Sequence, residues 1–269
     1  MNTYIIDQKH NLVNNTSDGD ILITATNKAD FVLELDSTSI SKKPWIISLN
    51  NISGQNKINL LSKNTQSMVV FLNGTKEATI RITIKEHTSL LNIVFISEND
   101  YHEQVTLVLD LNLASNLSLS LLANNLNYTK QFDLKILHNE KNIYSTVKAL
   151  GINGKGRLTF KANTVISNEG GGCSQSLRII NLSEDVCSEC DPVLTILNNN
   201  IEYARHGATV GGFNQDNIFY LQSKGINLKQ AKKLLLNSSI RKIIKILKDE
   251  KTENFIASQF LMKSFVYDN

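Results

Sequence analysis

From about residue 21 to residue 203 the chain is a succession of short runs, each alternating or briefly all-apolar, rich in Ile, Val, Leu and Phe and separated by Asn, Ser, Asp, Gly and Lys. Alternation at a period of two is the mark of a half-buried strand. The clearest runs lie at 31–35, 45–49, 68–72, 79–84 and 105–113, and the series continues through 117–121, 132–137, 143–147, 158–162 and 193–197. No helical periodicity lasts long enough to interrupt it, so an all-β body is expected. The runs alone leave a sandwich and a solenoid both open. Because Asn-Gly and Asp-Gly hairpin signals are few for so many strands, a parallel β-helix fits better, although no exact repeat is visible.

After Gly212 the pattern changes. Ile226, Ala231, Leu234, Leu235, Ile240, Ile243, Ile244 and Leu247 recur at helical spacing with Lys, Arg and Gln between them. Asn227 followed by Gln230 reads as a helix start after Gly225, and Asn237-Ser238-Ser239 as a place where the helix restarts or bends. A last helix is expected over about 252–265. The sequence therefore divides into a β body at 1–212 and a small C-terminal α-helical domain at 213–269.

Composition narrows the functional classes. With 269 residues, the chain can bury a substantial core. It has no stretch near the roughly 18 uninterrupted apolar residues of a spanning helix, which excludes a membrane permease, and the opening Met1-Asn2-Thr3-Tyr4 lacks a signal-peptide pattern. A cytoplasmic protein is expected. The net charge of +3 is small and dispersed, arguing against a nucleic-acid groove. Three cysteines, Cys173, Cys187 and Cys190, leave one over in any pairing, so free thiols are expected.

Four segments carry a resemblance. They are Gly154-Lys155-Gly156-Arg157-Leu158-Thr159-Phe160, Asp191-Pro192-Val193-Leu194-Thr195-Ile196, the stretch from Glu202 through Ala204-Arg205-His206-Gly207-Ala208-Thr209-Val210 to Gly211, and Asn217 to Ile226. In this order and spacing they resemble the SufB/SufD family of iron–sulfur cluster assembly scaffolds, leaning to its SufD-like branch, from about residue 151 to the end. The resemblance implies a right-handed parallel β-helix followed by a small helical domain. It also implies a scaffold subunit that is not itself an enzyme, pairing with a SufB-like subunit and docking a SufC-like ATPase. Members usually carry a helical domain ahead of the β-helix; this chain opens almost directly on strands, so that domain is expected to be absent.

By the same resemblance His206 is the candidate ligand of a nascent, transient cluster at the SufB-like interface, imidazole being a competent iron ligand. The family often has Cys-x-His where this chain has Ala204-Arg205-His206. The accompanying thiolate is missing, so a cluster held here needs sulfur ligands from the partner, and none is expected to be held tightly by the isolated chain. Phe219, Tyr220, Leu234, Leu235, Ile240, Ile243 and Ile244, rimmed by lysines and arginines, form the implied ATPase-docking stripe; read without the family, such a stripe is one side of an ordinary solvated helix.

Other readings compete. Cys187-Ser188-Glu189-Cys190 has the gap of a metal knuckle, and Cys173 with His206 could complete a set of four in a stand-alone metal-binding or redox protein, but no second Cys-x-x-Cys supports a zinc ribbon. A purely structural subunit would have the same partners with no ligand from this chain. A carbohydrate-active β-helix enzyme would need paired carboxylates, and none is recognisable. Gly170-Gly171-Gly172 lacks the Lys-Ser/Thr of a phosphate loop, so no nucleotide site is expected.

Overall fold

In the computed structural model, which describes residues 2–6, 11–15, 21–25, 31–35, 44–60, 66–84, 90–98, 100–112 and 116–264, the strands alternate between two parallel sheets. Sheet A holds β1 (Asn2–Ile6), β3 (Ile21–Ala25), β5 (Trp45–Asn50), β7 (Gln66–Asn73), β9 (Leu91–Ser97), β11 (Asn116–Asn125), β13 (Tyr144–Asn153), β15 (Gly172–Asn181) and β17 (Tyr203–Gly211). Sheet B holds β2 (Asn11–Asn15), β4 (Phe31–Leu35), β6 (Gly54–Leu60), β8 (Glu77–Ile84), β10 (Glu103–Leu111), β12 (Thr129–His138), β14 (Arg157–Ile166) and β16 (Cys187–Ile196). Each strand pairs with the next but one in the sequence, so the chain winds as a parallel β-helix. Strands begin at Asn2, ahead of the expected start at residue 21. Residue 113, at the end of one expected run, and residue 265, at the expected end of the last helix, lie outside the described residues.

The coils widen along the chain. Asn2 pairs with Ile21 and Gly172 with Tyr203, offsets of 19 and 31 residues, while strand length grows from 5 to 10 residues. A drifting period explains why no repeat is visible in the sequence. Between the sheets lies one apolar cluster running from Leu33 to Ile179, with stacked columns such as Phe132 on Phe160. Some of the polar exceptions sit at the corners. Lys130 and Glu103, both wholly buried, pair at 3.2 Å and share Ser97, and a ladder of Asn125, Asn153 and Asn181 ties successive turns, Asn125 Nδ2 donating to Asn153 Oδ1 at 3.0 Å.

Three helices follow: α1 (Gln215–Ser223), α2 (Leu228–Ile244) and, after a 3-10 turn, α3 (Glu250–Ser264). Asn214 and Asn227 cap the first two, each side chain accepting from the backbone N–H three residues on. The expected break at 237–239 is absent. Ser239 turns its hydroxyl back to Leu235 O at 3.0 Å, and α2 runs through to Ile244. The chain reverses instead at Lys248, which is in the left-handed region with φ 56°.

The helices cover the outer face of sheet A. Leu236, Ile240, Ile244, Leu247, Ile256 and Phe260 pack on Val94, Ile96, Leu122, Leu150 and Ile180 in a second apolar cluster. This is why β9 is buried at every position: its inward residues face the solenoid core and its outward ones face the helices.

Candidate functional site at the open end of the solenoid

β16 and β17 are the last strands of their sheets, and among the described residues no further coil covers them. The register shows what that leaves open. Ile93, Leu119, Val147, Gln175 and His206 occupy one inward column through β9, β11, β13, β15 and β17. The first four are buried; His206 is exposed. Its side chain thus holds a core position and faces solvent because the solenoid ends there. Val210 above Ile179 is exposed in the same way, while Ala204 above Cys173 and, on sheet B, Cys190 above Phe160 hold core positions that are only half-buried. Val193, Ile196, Leu197 and Val210 leave large apolar surface exposed at this end. An uncapped solenoid end of this kind calls for a cover, since terminal coils with a polar outer face are what keep such arrays soluble.

His206 reaches across the mouth. Its Nδ1 lies 2.9 Å from the carbonyl oxygen of Pro192 on β16. A carbonyl only accepts, so Nδ1 carries the proton and Nε2 keeps its lone pair free. A histidine in this tautomer is prepared to ligate a metal ion through Nε2. Arg205, its neighbour in sequence, lies on the opposite face of the strand with its guanidinium 5.2 Å from the centre of the Tyr203 ring.

The glycine motifs prove to be corner devices. A Cβ on Gly156 would sit 2.1 Å from Tyr128 O and one on Gly154 2.8 Å from Leu126 O, so the Gly154-Lys155-Gly156 turn stacks on the turn beneath it only with glycine at 154 and 156. Gly170 and Gly171 have φ of +73° and +75°, and a Cβ on Gly172 would meet the Tyr203 ring at 2.6 Å. Only Gly172 makes room for the Tyr203 ring; a Cβ on Gly170 or Gly171 would instead meet Asn142 Oδ1 or Ile143 O.

The thiols do not converge. All three are free. Three residues apart on a strand, Cys187 and Cys190 face opposite sides: Cys187 is exposed, while Cys190 points inward against the core, where burial pushes its thiol up to about 12. Cys173 is wholly buried, and burial raises its thiol as well. Among the described residues no group of three or more His, Cys, Asp or Glu side chains could hold a metal ion.

The expected docking stripe divides. Phe219 is 74% exposed, and Tyr220 and Leu234 also face solvent. Leu235 is half-buried, and Ile243 packs against the second cluster. Ile240 and Ile244 are completely buried against sheet A, so they anchor the helices to the solenoid and offer nothing to a partner. Helical spacing marks an apolar face but does not say what covers it. Leu228, Phe255 and Met262, not singled out from the sequence, are also exposed, and a groove is lined by Ile226, Gln230, Leu234 and Leu261. Amphipathic spacing would not have found Phe255 and Met262 because α3 has apolar residues on several sides.

The described residues thus build a parallel β-helix with an open terminal coil and an appended helical layer. Residues 57–239 match the family described as SUF system FeS cluster assembly, SufBD core domain. The chain belongs to this family. It is 33% identical over 78 residues to the iron–sulfur cluster assembly protein SufD of Plasmodium falciparum (isolate 3D7), covering 29% of this chain and 5% of that protein. To the SufD of Escherichia coli (strain K12) it is 28% identical over 117 residues, 42% of this chain and 26% of that one. The chain thus spans about a quarter or less of the length of these curated relatives. Among the described residues no helix is long and apolar enough to cross a membrane.

Proposed function

We propose that this chain is a SufD-like scaffold subunit of iron–sulfur cluster assembly, working in the cytoplasm and catalysing no reaction alone. The observation that carries this reading is the uncapped last coil, in which the family signature from Tyr203 to Gly211 supplies core positions left without a cover. A SufB-like β-helix fits as the cover. Its edge strands satisfy the free backbone groups of β16 and β17, and its apolar end meets Val210, Ile196 and Leu197. His206 then lies inside the joined core, with Nε2 directed at the partner. The cluster is cargo of this interface, and one imidazole is the share this chain contributes; the sulfur ligands come from the partner.

The exposed half of the helical surface, Phe219, Tyr220, Leu228 and Leu234, is the docking face for a SufC-like ATPase. Aromatic anchors next to a groove are the composition of an interface hot spot. The buried half, through Ile240 and Ile244, couples any movement of the helices to sheet A.

Co-expression with SufB-like and SufC-like proteins, purification, and an absorbance spectrum test the reading. A complex with a cluster band that His206→Ala removes is the expected result. An intact band in the mutant makes this chain a structural partner with no ligand role, and failure to form a complex overturns the proposal.

A further inference from the structure

We infer that Gln175 is a positioning residue for His206, an inference that rests on the reading of His206 as an interface ligand. Gln175 sits directly beneath His206 in the inward column. Its Nε2 donates to Val193 O at 3.1 Å and to Thr164 Oγ1 at 2.7 Å. The carbonyl next to Val193, that of Pro192, takes the Nδ1 proton of His206. Successive carbonyls of a strand point to opposite edges, so Gln175 holds Val193 O from the coil below while Pro192 O is left turned to the open end. Two successive peptide groups of β16 are thereby gripped, one from beneath by the glutamine and the next from above by the histidine.

Gln175 is itself held. Thr164 also hydrogen-bonds Cys173, Cys173 bonds Ser145, and Ser145 Oγ lies 2.8 Å from His138 Nε2. This buried polar thread runs through the coils beneath the site and gives Gln175 a fixed base.

Stability alone does not account for a glutamine here. It is 2% exposed, and among the described residues no group partners its Oε1. A buried amide oxygen left in that state is destabilising. Leu119 and Val147, lower in the same column, fill the position with no such cost. What the amide adds is a donor aimed at the strand that orients His206.

The test uses the full chain with 15N-labelled histidine. Long-range 1H–15N correlation spectra report which ring nitrogen of neutral His206 is protonated, with no cluster needed. The wild type should show Nδ1–H in excess, the reverse of free imidazole's preference. Gln175→Met keeps length and volume but removes the donor, and the ratio should move towards that of an exposed, untethered histidine. Thr164→Val, nearly isosteric, should shift it in the same direction by less. A ratio unchanged in both folded variants overturns the inference. The cluster band of the co-purified complex then separates the two claims: in Gln175→Met the band should fall by about tenfold, as for the loss of an outer-shell partner of a ligand. Should the tautomer ratio move while the band stays whole, Gln175 still positions His206 and it is the ligand reading that fails.

Discussion

The coil formed by β14 and β15 and the end formed by β16 and β17 carry inward side chains in the same columns, yet one is sealed and the other open. Phe160 and Gln175 are buried; Cys190 and His206, directly above them, are not. The difference is one of neighbours, since each end-coil residue points to the same interior. A solenoid can thus build a reactive surface by stopping, and the residues on that surface answer to a partner in place of a next coil.

The comparison breaks most visibly under truncation of a column. Phe160→Ala removes a ring enclosed by Phe132 below and Cys190 above, and should cost about 3–5 kcal/mol of the chain's own stability. Val210→Ala at the open end should leave the lone chain within about 0.5 kcal/mol of wild type, as for an exposed site, while weakening association with the partner. Denaturant melts of the lone variants, followed by pull-down with the SufB-like protein, check both. If Val210→Ala destabilises the lone chain as much as Phe160→Ala does, the end coil is sealed in solution and the site is misplaced.

A second contrast is in proton binding. His138, inside the closed coils, has its pKa lowered by burial to about 4. Unfolded, it titrates near the ordinary 6.5, so between these values the unfolded chain binds more protons than the folded one. Stability is therefore full above about pH 6.5 and falls as the pH drops towards 4, by roughly 3 kcal/mol in all. Melts across this range should show the loss, and His138→Gln should flatten it. A wild-type profile already flat between these pH values would mean that His138 protonates without cost and that the interior is wetter than its burial suggests.

The same contrast governs what was legible in the sequence. Strands with one face in the core, such as Trp45–Asn50, stood out through alternation. β9 did not, because the helices bury its outer face and erase the alternation. β15 and β17 did not either, since Ser174, Gln175, Arg205 and Gly207 give no apolar rhythm. The winding period was hidden by coils that lengthen along the chain. His206 was found through a resemblance in its neighbouring residues; only the register shows that it holds a core position. Ile240 and Ile244 were readable as a helix face, but their cover, sheet A, lies more than a hundred residues earlier for most of its strands.

The smallest expected effect sharpens the comparison furthest, because it should change sign between the lone chain and the complex. A Cβ on Gly156, at a closed corner, would meet Tyr128 O at 2.1 Å; on Gly207, in the end strand, it would meet nothing within 4 Å. Gly207 has no positive φ to explain it, so in the lone chain nothing requires a glycine there. Gly207→Ala should then stabilise the isolated protein by about 0.4–1 kcal/mol, because alanine leaves the unfolded chain less freedom to lose. If a partner strand packs flat on β17, the added methyl lies in its path, and the variant should bind the SufB-like protein more weakly than wild type does. Glycine in a strand interior often marks such a close approach of another backbone. A gain in lone-chain stability with no loss of binding would place the partner's backbone away from this face of β17, and pairing would then run through β16 and the apolar rim at Ile196 and Leu197.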